Sequence, residues 1–216
     1  MDKRNETIFQ FIYIYMHLFK KINELRKTQK KKWTVQELLD FFEEDGIFAL
    51  IFLLSFPTSI PSPAWGLGFS TFIGGIIILI LSFQLIIGAK KATLPSFITK
   101  QMIDISFLQT EQFNKIYDFL LDIKKYTRPR FKSVLLARSI IGIFLIPQAI
   151  LMMIPIPFTN WIPSVIATCI SFSYLFGDGL YLLLFLTTSV FTNFAYIYIL
   201  IFVKNFIHRR FFKKGR

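Results

Sequence analysis

One carboxylate stands apart in this chain. From residue 139 to residue 203 the only formal charge is Asp178, set between Gly177 and Gly179. An ionised carboxylate among apolar residues loses its hydration, so it must be paired, wet or functional. Two roles fit it. It can take up a proton, or hold a cation or ammonium headgroup during transport. It can equally cap the helix that opens at Leu180, because an Asp oxygen accepts from the free amides of a first turn.

The same region carries PIPFTNW at residues 155–161. Thr159 and Asn160 bring donors suited to a phosphate or sugar hydroxyl at a helix N-terminus. Capping, with Trp161 at an interface, is the plainer alternative. Ser62, with Trp65 and Gly66, forms a similar corner in SIPSPAWG. Gln84 lies three turns into an apolar helix and is a candidate partner for Asp178 or for a neighbouring helix. Arg128, Arg130 and Arg138 stand where apolar sequence resumes. Guanidinium matches lipid phosphate, and the same residues fit positive-inside anchoring.

Enzyme chemistry finds little to work with. His17 and His208 lie in terminal basic segments, and no His/Cys/Asp cluster has metal spacing. There is no nucleophile-elbow pattern and no nucleotide-binding loop. Glu43, Glu44 and Asp45 read as the end of a surface helix rather than an acid/base pair. Cys169 is the only cysteine, which excludes an intrachain disulfide and a thiolate cluster. It reads as a small packing residue. The expectation is a protein that is not an enzyme and holds no cofactor or metal.

These residues need positioning elements, and composition says what kind. The chain is 54% hydrophobic with 27 Phe among 216 residues, and residues 46–89 carry no charge. Uncharged runs this long predict an all-α integral membrane protein. The net charge of +12 comes from basic residues beside apolar runs. Membrane lipids, especially anionic ones, are therefore the expected partners, and nucleic acid is not.

Five regions follow. Residues 1–45 are amphipathic: 8–19 form an apolar dozen, about 18 Å as a helix and too short to span. That dozen predicts an interfacial helix anchored by Lys20, Lys21, Arg26 and Lys27. TVQE at residues 34–37 is a capping-box pattern, starting a second helix that ends near Gly46. Residues 46–88 form a first membrane unit, a hairpin broken by Pro57, Pro61 and Pro63. Residues 89–133 are a basic linker with an amphipathic helix over 110–126. Residues 134–203 form a second membrane unit with spans at 135–154 and 180–203 and a short piece at 162–176. Residues 204–216 are a tail with six basic residues and no acid. The basic clusters predict that both termini and the linker face the cytoplasm. The short pieces at 47–56 and 162–176 are then expected to be re-entrant.

The two units also echo each other at a fixed offset of 94 residues: Pro61 and Pro63 on Pro155 and Pro157, Ser70 on Ser164, Gln84 on Asp178. Internal repeats are common in transporters, where broken helices meet near the midplane, so an inverted repeat with opposed corners is the expectation.

The order SIPSPAWG, QLIIG, Leu94–Pro95, RPR at 128–130, Arg138 before Gly142, PIPFTNWIPS and GDG resembles the ExoD family of bacterial membrane proteins, over roughly residues 35–203. The chain departs from it in having AKKAT before Leu94–Pro95, where the family has a basic, Trp-containing stretch. The resemblance implies a bacterial inner-membrane protein linked to exopolysaccharide synthesis, and carries no established reaction. Two functions are open: translocation of an anionic, lipid-linked sugar intermediate, or an accessory role beside polysaccharide-synthesis proteins, as a monomer or a homo-oligomer.

Overall fold

The computed structural model describes residues 20–59, 68–124, 131, 134–135, 137–154 and 160–212. The expected interfacial helix at 8–19 and both Pro-x-Pro corners lie outside them. Helix α1 covers residues 20–27. Then come strand β1 (Lys32–Thr34) and helices α2 (Val35–Phe42), α3 (Gly46–Ser59) and α4 (Gly68–Ile86). The linker holds α5 (Ser96–Thr99), β2 (Met102–Asp104) and α6 (Glu111–Lys124). Helices α7 (Arg138–Met153), α8 (Trp161–Leu175) and α9 (Gly179–Phe212) follow.

The N-terminal and linker regions form one polar unit. Strand β1 pairs antiparallel with β2, placing Trp33 opposite Ile103. The chain is mostly helical, as expected for an all-α protein, and this short ribbon adds to it, because three-residue strands are too brief to leave a periodic signal. The capping box is present as expected: Thr34 Oγ1 accepts from the Glu37 amide at 3.1 Å, and Glu37 Oε2 accepts from the Thr34 amide at 2.9 Å. Helix α2 buries Val35, Leu38, Leu39 and Phe42, the i, i+3, i+4, i+7 stripe of an amphipathic helix. The turn out of α2 falls at Glu43, which has φ 55°, and Gly46 begins α3 instead of ending α2.

Helix α3 has no polar face. Gly46 through Leu53 are all buried, as are Ser55 and Phe56. On one flank it lies against α8: Phe48 stacks on Tyr174 at 3.6 Å, and Ser59 near its end meets Trp161. On the other flank Phe56 touches the Phe107 and Phe113 rings at 6.1 and 5.3 Å. The linker helix α6 therefore covers the side of α3. Pro57 lies in its last turn, where the helix is already ending, so the break falls after Ser59.

Helices α4 and α7 make the most extensive pairing, and they are antiparallel. Their approach is set by glycine. A Cβ on Gly142 would stand 2.6 Å from the Ser82 carbonyl oxygen, and one on Gly75 would stand 2.9 Å from the Ala149 carbonyl. The Ser139 hydroxyl reaches the Leu85 carbonyl at 3.3 Å. Directions thus alternate through α3, α4, α7, α8 and α9. The starts of α3, α7 and α9 share one end of the bundle, here the Arg138 end. Ser59, Thr71, Asn160 and Trp161 mark the other.

Residues beside the two proline corners meet at the Trp161 end: Asn160 Nδ2 donates to Thr71 Oγ1 at 3.0 Å, and Trp161 Nε1 donates to the Ser59 carbonyl at 2.6 Å. The corners themselves, and the inverted repeat expected across them, lie outside the described residues. Helix α9 starts at the Arg138 end and runs toward the Trp161 end.

Two outcomes check this packing. Gly142→Ala should destabilise the protein by about 1–3 kcal/mol, as overpacking against backbone does. At Gly74 a Cβ meets nothing within 4 Å, so Gly74→Ala should be neutral or gain about 0.5–1 kcal/mol from helix entropy. Thermal unfolding of the two variants in one detergent compares them directly.

Glu37 gives a pH signature. The hydrogen bond from Lys30, then the Thr34 amide, hold its carboxyl below the ordinary glutamate range. A depressed folded value means that its stabilisation is full above the unfolded value and is lost as pH falls through the folded one. Amide protection at Thr34 should therefore drop in mild acid. Glu37→Gln should flatten that profile; a profile unchanged by the substitution would show that another group controls it.

Candidate functional site

Four of the sequence-derived residues are described: Asp178, Asn160, Gln84 and Arg138. Thr159, Ser62, Arg128 and Arg130 lie outside the described residues.

Asp178 is buried, with 1% exposure. Its Oδ1 accepts from the amides of Leu180 and Tyr181 at 3.0 and 3.3 Å. This is an N-cap for α9, and it satisfies donors that a helix start leaves free. Gly177, at φ 68°, makes the turn out of α8. The second oxygen, Oδ2, is buried without a partner. A buried acceptor of that kind costs desolvation energy and marks a place where a proton or donor would be welcome.

Arg138 opens α7 at the same end. Its guanidinium stands 5.6 Å from the Phe48 ring and 5.8 Å from the Tyr174 ring, close enough for cation–π attraction. Its Nε and Nη2 are also buried without partners. Tyr174 lies one turn before Asp178, so the two ionisable groups share a neighbourhood without forming an ion pair. Two opposite charges, each with unused hydrogen-bonding capacity, thus lie at the Arg138 end.

Between the two ends runs a polar face of α8. Asn160, Ser164, Thr168 and Ser171 are spaced four, four and three residues apart, which places them on one side of a helix. Ser164 and Ser171 are fully buried and Thr168 nearly so. The Ser164 hydroxyl donates to the Asn160 carbonyl at 2.6 Å. Thr168 Oγ1 donates to Ser55 Oγ of α3 at 2.9 Å. The Ser171 hydroxyl has no partner.

Gln84 does not reach Asp178. Its side-chain amide closes on Thr93 instead: Nε2 donates to the Thr93 carbonyl, and Oε1 accepts from the Thr93 amide at 2.7 Å. It fixes the loop after α4, where Gly88 takes φ 79°. The reason is position: Gln84 stands in the last turn of α4, within reach of the returning chain.

Sequence reading missed a second buried polar cluster. Gln148 of α7 is fully buried, and its Nε2 donates to Ser189 Oγ and Asn193 Oδ1 of α9, each at 2.8 Å. Its Oε1 has no partner. The signal was available as Gln148 on one uncharged helix and Ser189 and Asn193, one turn apart, on another. The α8 hydroxyls were likewise legible as a spacing. No group of three or more His, Cys, Asp or Glu able to hold a metal occurs among the described residues.

The cap and its orphan oxygen can be separated. Asp178→Asn keeps an accepting oxygen at the α9 start and should cost less than about 1 kcal/mol, while Asp178→Ala should cost about 0.5–2 kcal/mol. Thermal unfolding in detergent measures both. An Asn variant as unstable as the Ala variant would mean that the charge, not the cap, holds the turn.

The chain is similar to known proteins at the level of family. The family model described as "Exopolysaccharide synthesis, ExoD" matches residues 18–199. A protein of Synechocystis sp., described only as uncharacterized, is 31% identical over 167 residues, covering 67% of this chain and 76% of its own length. No solved structure matches. The match extends from α1 through the bundle into α9, and takes in Asn160, Arg138 and Asp178. The chain belongs to the ExoD exopolysaccharide-synthesis family.

Proposed function

We propose that this protein resides in the bacterial inner membrane and moves an anionic, lipid-linked sugar intermediate across it during exopolysaccharide synthesis. It acts as a translocator, not an enzyme. Family membership supports the exopolysaccharide link. Residence in the membrane is supported by α9, whose segment Gly179–Phe202 is long and apolar enough to cross. Only 17% of its most apolar window is buried, which supports a helix that faces lipid. Exposed apolar side chains continue the surface, with Phe72 and Phe83 on α4 and Ile140, Ile143 and Ile150 on α7.

One observation carries the translocation reading: the polar face of α8, which runs from Asn160 at one end to Ser171 near Arg138 and Asp178 at the other. A headgroup crossing an apolar bundle needs hydroxyls in steps of about one turn, and a cation to receive its phosphate. Arg138 has free donors for that phosphate. Asp178 Oδ2 is a second polar atom without a partner at that end. The linker end, which carries ten basic residues between residues 89 and 138, is the cytoplasmic end in this reading.

A second reading is an accessory subunit that helps to assemble polysaccharide machinery. The exposed face of α9 favours it, with Phe191, Phe194 and Tyr198 each at least two-thirds exposed and available to a neighbouring helix.

Vesicles containing only the purified protein distinguish the two. A fluorescent polyprenyl-phosphate sugar placed in one leaflet should equilibrate at a rate that Arg138→Gln reduces about tenfold, equivalent to about 1.4 kcal/mol of barrier. Equilibration no faster than in protein-free vesicles would end the translocation reading and leave the accessory one.

A further inference from the structure

The polar unit, away from the bundle interior, contains a concavity of about 590 Å³. Its lining includes Asn23, Arg26, Lys27, Gln29, Lys31 and Asn114, together with Thr28 and Gln109. Three of these residues are cations and none is acidic. The volume falls within the range of small-molecule sites, about 300–1,000 Å³, and is large for a bare phosphate.

Its central cation is held in place. The Arg26 guanidinium lies 4.2 Å from the Tyr117 ring centre and 5.9 Å from that of Phe113. Its Nη2 donates to Asn114 Oδ1. Stacking on one side and a hydrogen bond at one corner fix the plane of the fork while leaving other N–H groups for a ligand. An oriented guanidinium recognises phosphate oxygens in pairs, and a loose lysine does not.

The chain also removes the main electrostatic objection. Helix α1 ends here, and helix C-termini present carbonyl oxygens that repel anions. Gln109 Nε2 donates to the Arg26 and Thr28 carbonyls at 3.2 and 2.9 Å, and the Thr28 amide donates to the Glu24 carbonyl at 3.1 Å. These donors occupy carbonyls of the terminus and weaken its repulsion of an anion. Lys30, between the lining residues, is engaged elsewhere by Glu37 at 2.7 Å. The cations that line the concavity are thus a subset of a basic segment, with Arg26 held in place and Lys27 and Lys31 exposed.

We infer that this concavity binds a pyrophosphate- or phosphate-bearing ligand: Arg26 takes a pair of phosphate oxygens, Lys27 and Lys31 supply the remaining charge, and Asn23 and Gln29 reach an attached polar group. The ligand is either a soluble phosphate compound or the headgroup of an anionic lipid. The inference does not depend on translocation through the bundle.

The test uses the full chain in phosphatidylcholine nanodiscs. Inorganic pyrophosphate is titrated calorimetrically, and in a second arm binding to vesicles of four parts phosphatidylcholine to one part phosphatidylglycerol is measured. Arg26→Gln should weaken binding about tenfold or more, as losing a charged hydrogen-bond pair does. Since Arg26 also packs on Tyr117, the exposed pair Lys27→Gln with Lys31→Gln gives a variant free of folding effects, and it should weaken binding to a similar degree. Lys30→Gln should leave it unchanged. Pyrophosphate binding with this pattern supports a soluble ligand; vesicle binding with this pattern, without pyrophosphate binding, supports a headgroup. No binding in either arm, or equal losses for Lys30→Gln and the other variants, would overturn the site.

Discussion

A helix that is apolar on every side must be covered on every side, and α3 imposes that requirement on the whole chain. Its fourteen residues turn no stripe to water, so burying one face would leave the others exposed. The bundle covers it with α8 and α4, and α2 and the linker cover the rest through Phe56, Phe107 and Phe113. Burial of that many large side chains stabilises each by roughly 1.5–3 kcal/mol. The polar unit is thereby tied to the bundle. The ribbon of β1 and β2, the capping box before α2 and the Lys21–Glu43 pair at 3.3 Å all serve to hold that cover in register.

Much of this was legible in the residues. Apolar runs gave α4, α7 and α8 nearly to their ends and the start of α9, which continues past the expected end at residue 203 to Phe212, because hydrophobicity is a local property. TVQE gave the start of α2, because a capping box is a contact between residues three apart. The amphipathic spacing at 110–126 gave α6. What the residues left open was long-range. The direction of one helix against another depends on which small residues face each other, and Gly75 and Gly142 decide that here without any local mark. The inverted repeat expected from the sequence turns on corners that lie outside the described residues. Its 94-residue echo is compatible with either direction of packing, since four matched residues do not encode the sign of an axis.

The candidate site shows the same division. Asp178 was conspicuous by charge, and its capping role followed from the glycines and the helix after it. Arg138 was conspicuous by isolation. That both end in one neighbourhood with unsatisfied atoms was not visible, because it depends on Tyr174 joining the start of α7 to the turn before α9. Gln84 was misassigned because composition gives depth in an apolar run and not proximity to a loop that returns. Gln148, Ser189 and Asn193 were overlooked because neutral polar residues in apolar helices carry no signal until two helices are placed side by side.

The unequal lengths of the helices have a consequence for any bilayer around them. At 1.5 Å per residue, α3, α7 and α8 are about 21–24 Å long and α4 about 28 Å, whereas residues 179–202 of α9 reach about 36 Å. Beyond Tyr196 the side chains from Ile197 to Phe202 are all exposed. A hydrocarbon core of about 30 Å fits α9 with tilt and overshoots the others. Lipid tails beside α4 and α7 would have to shorten to meet them, while those beside α9 stretch. In the membrane placement proposed above, such a mismatch would thin the bilayer along the α4 and α7 side and leave a headgroup less oil to cross.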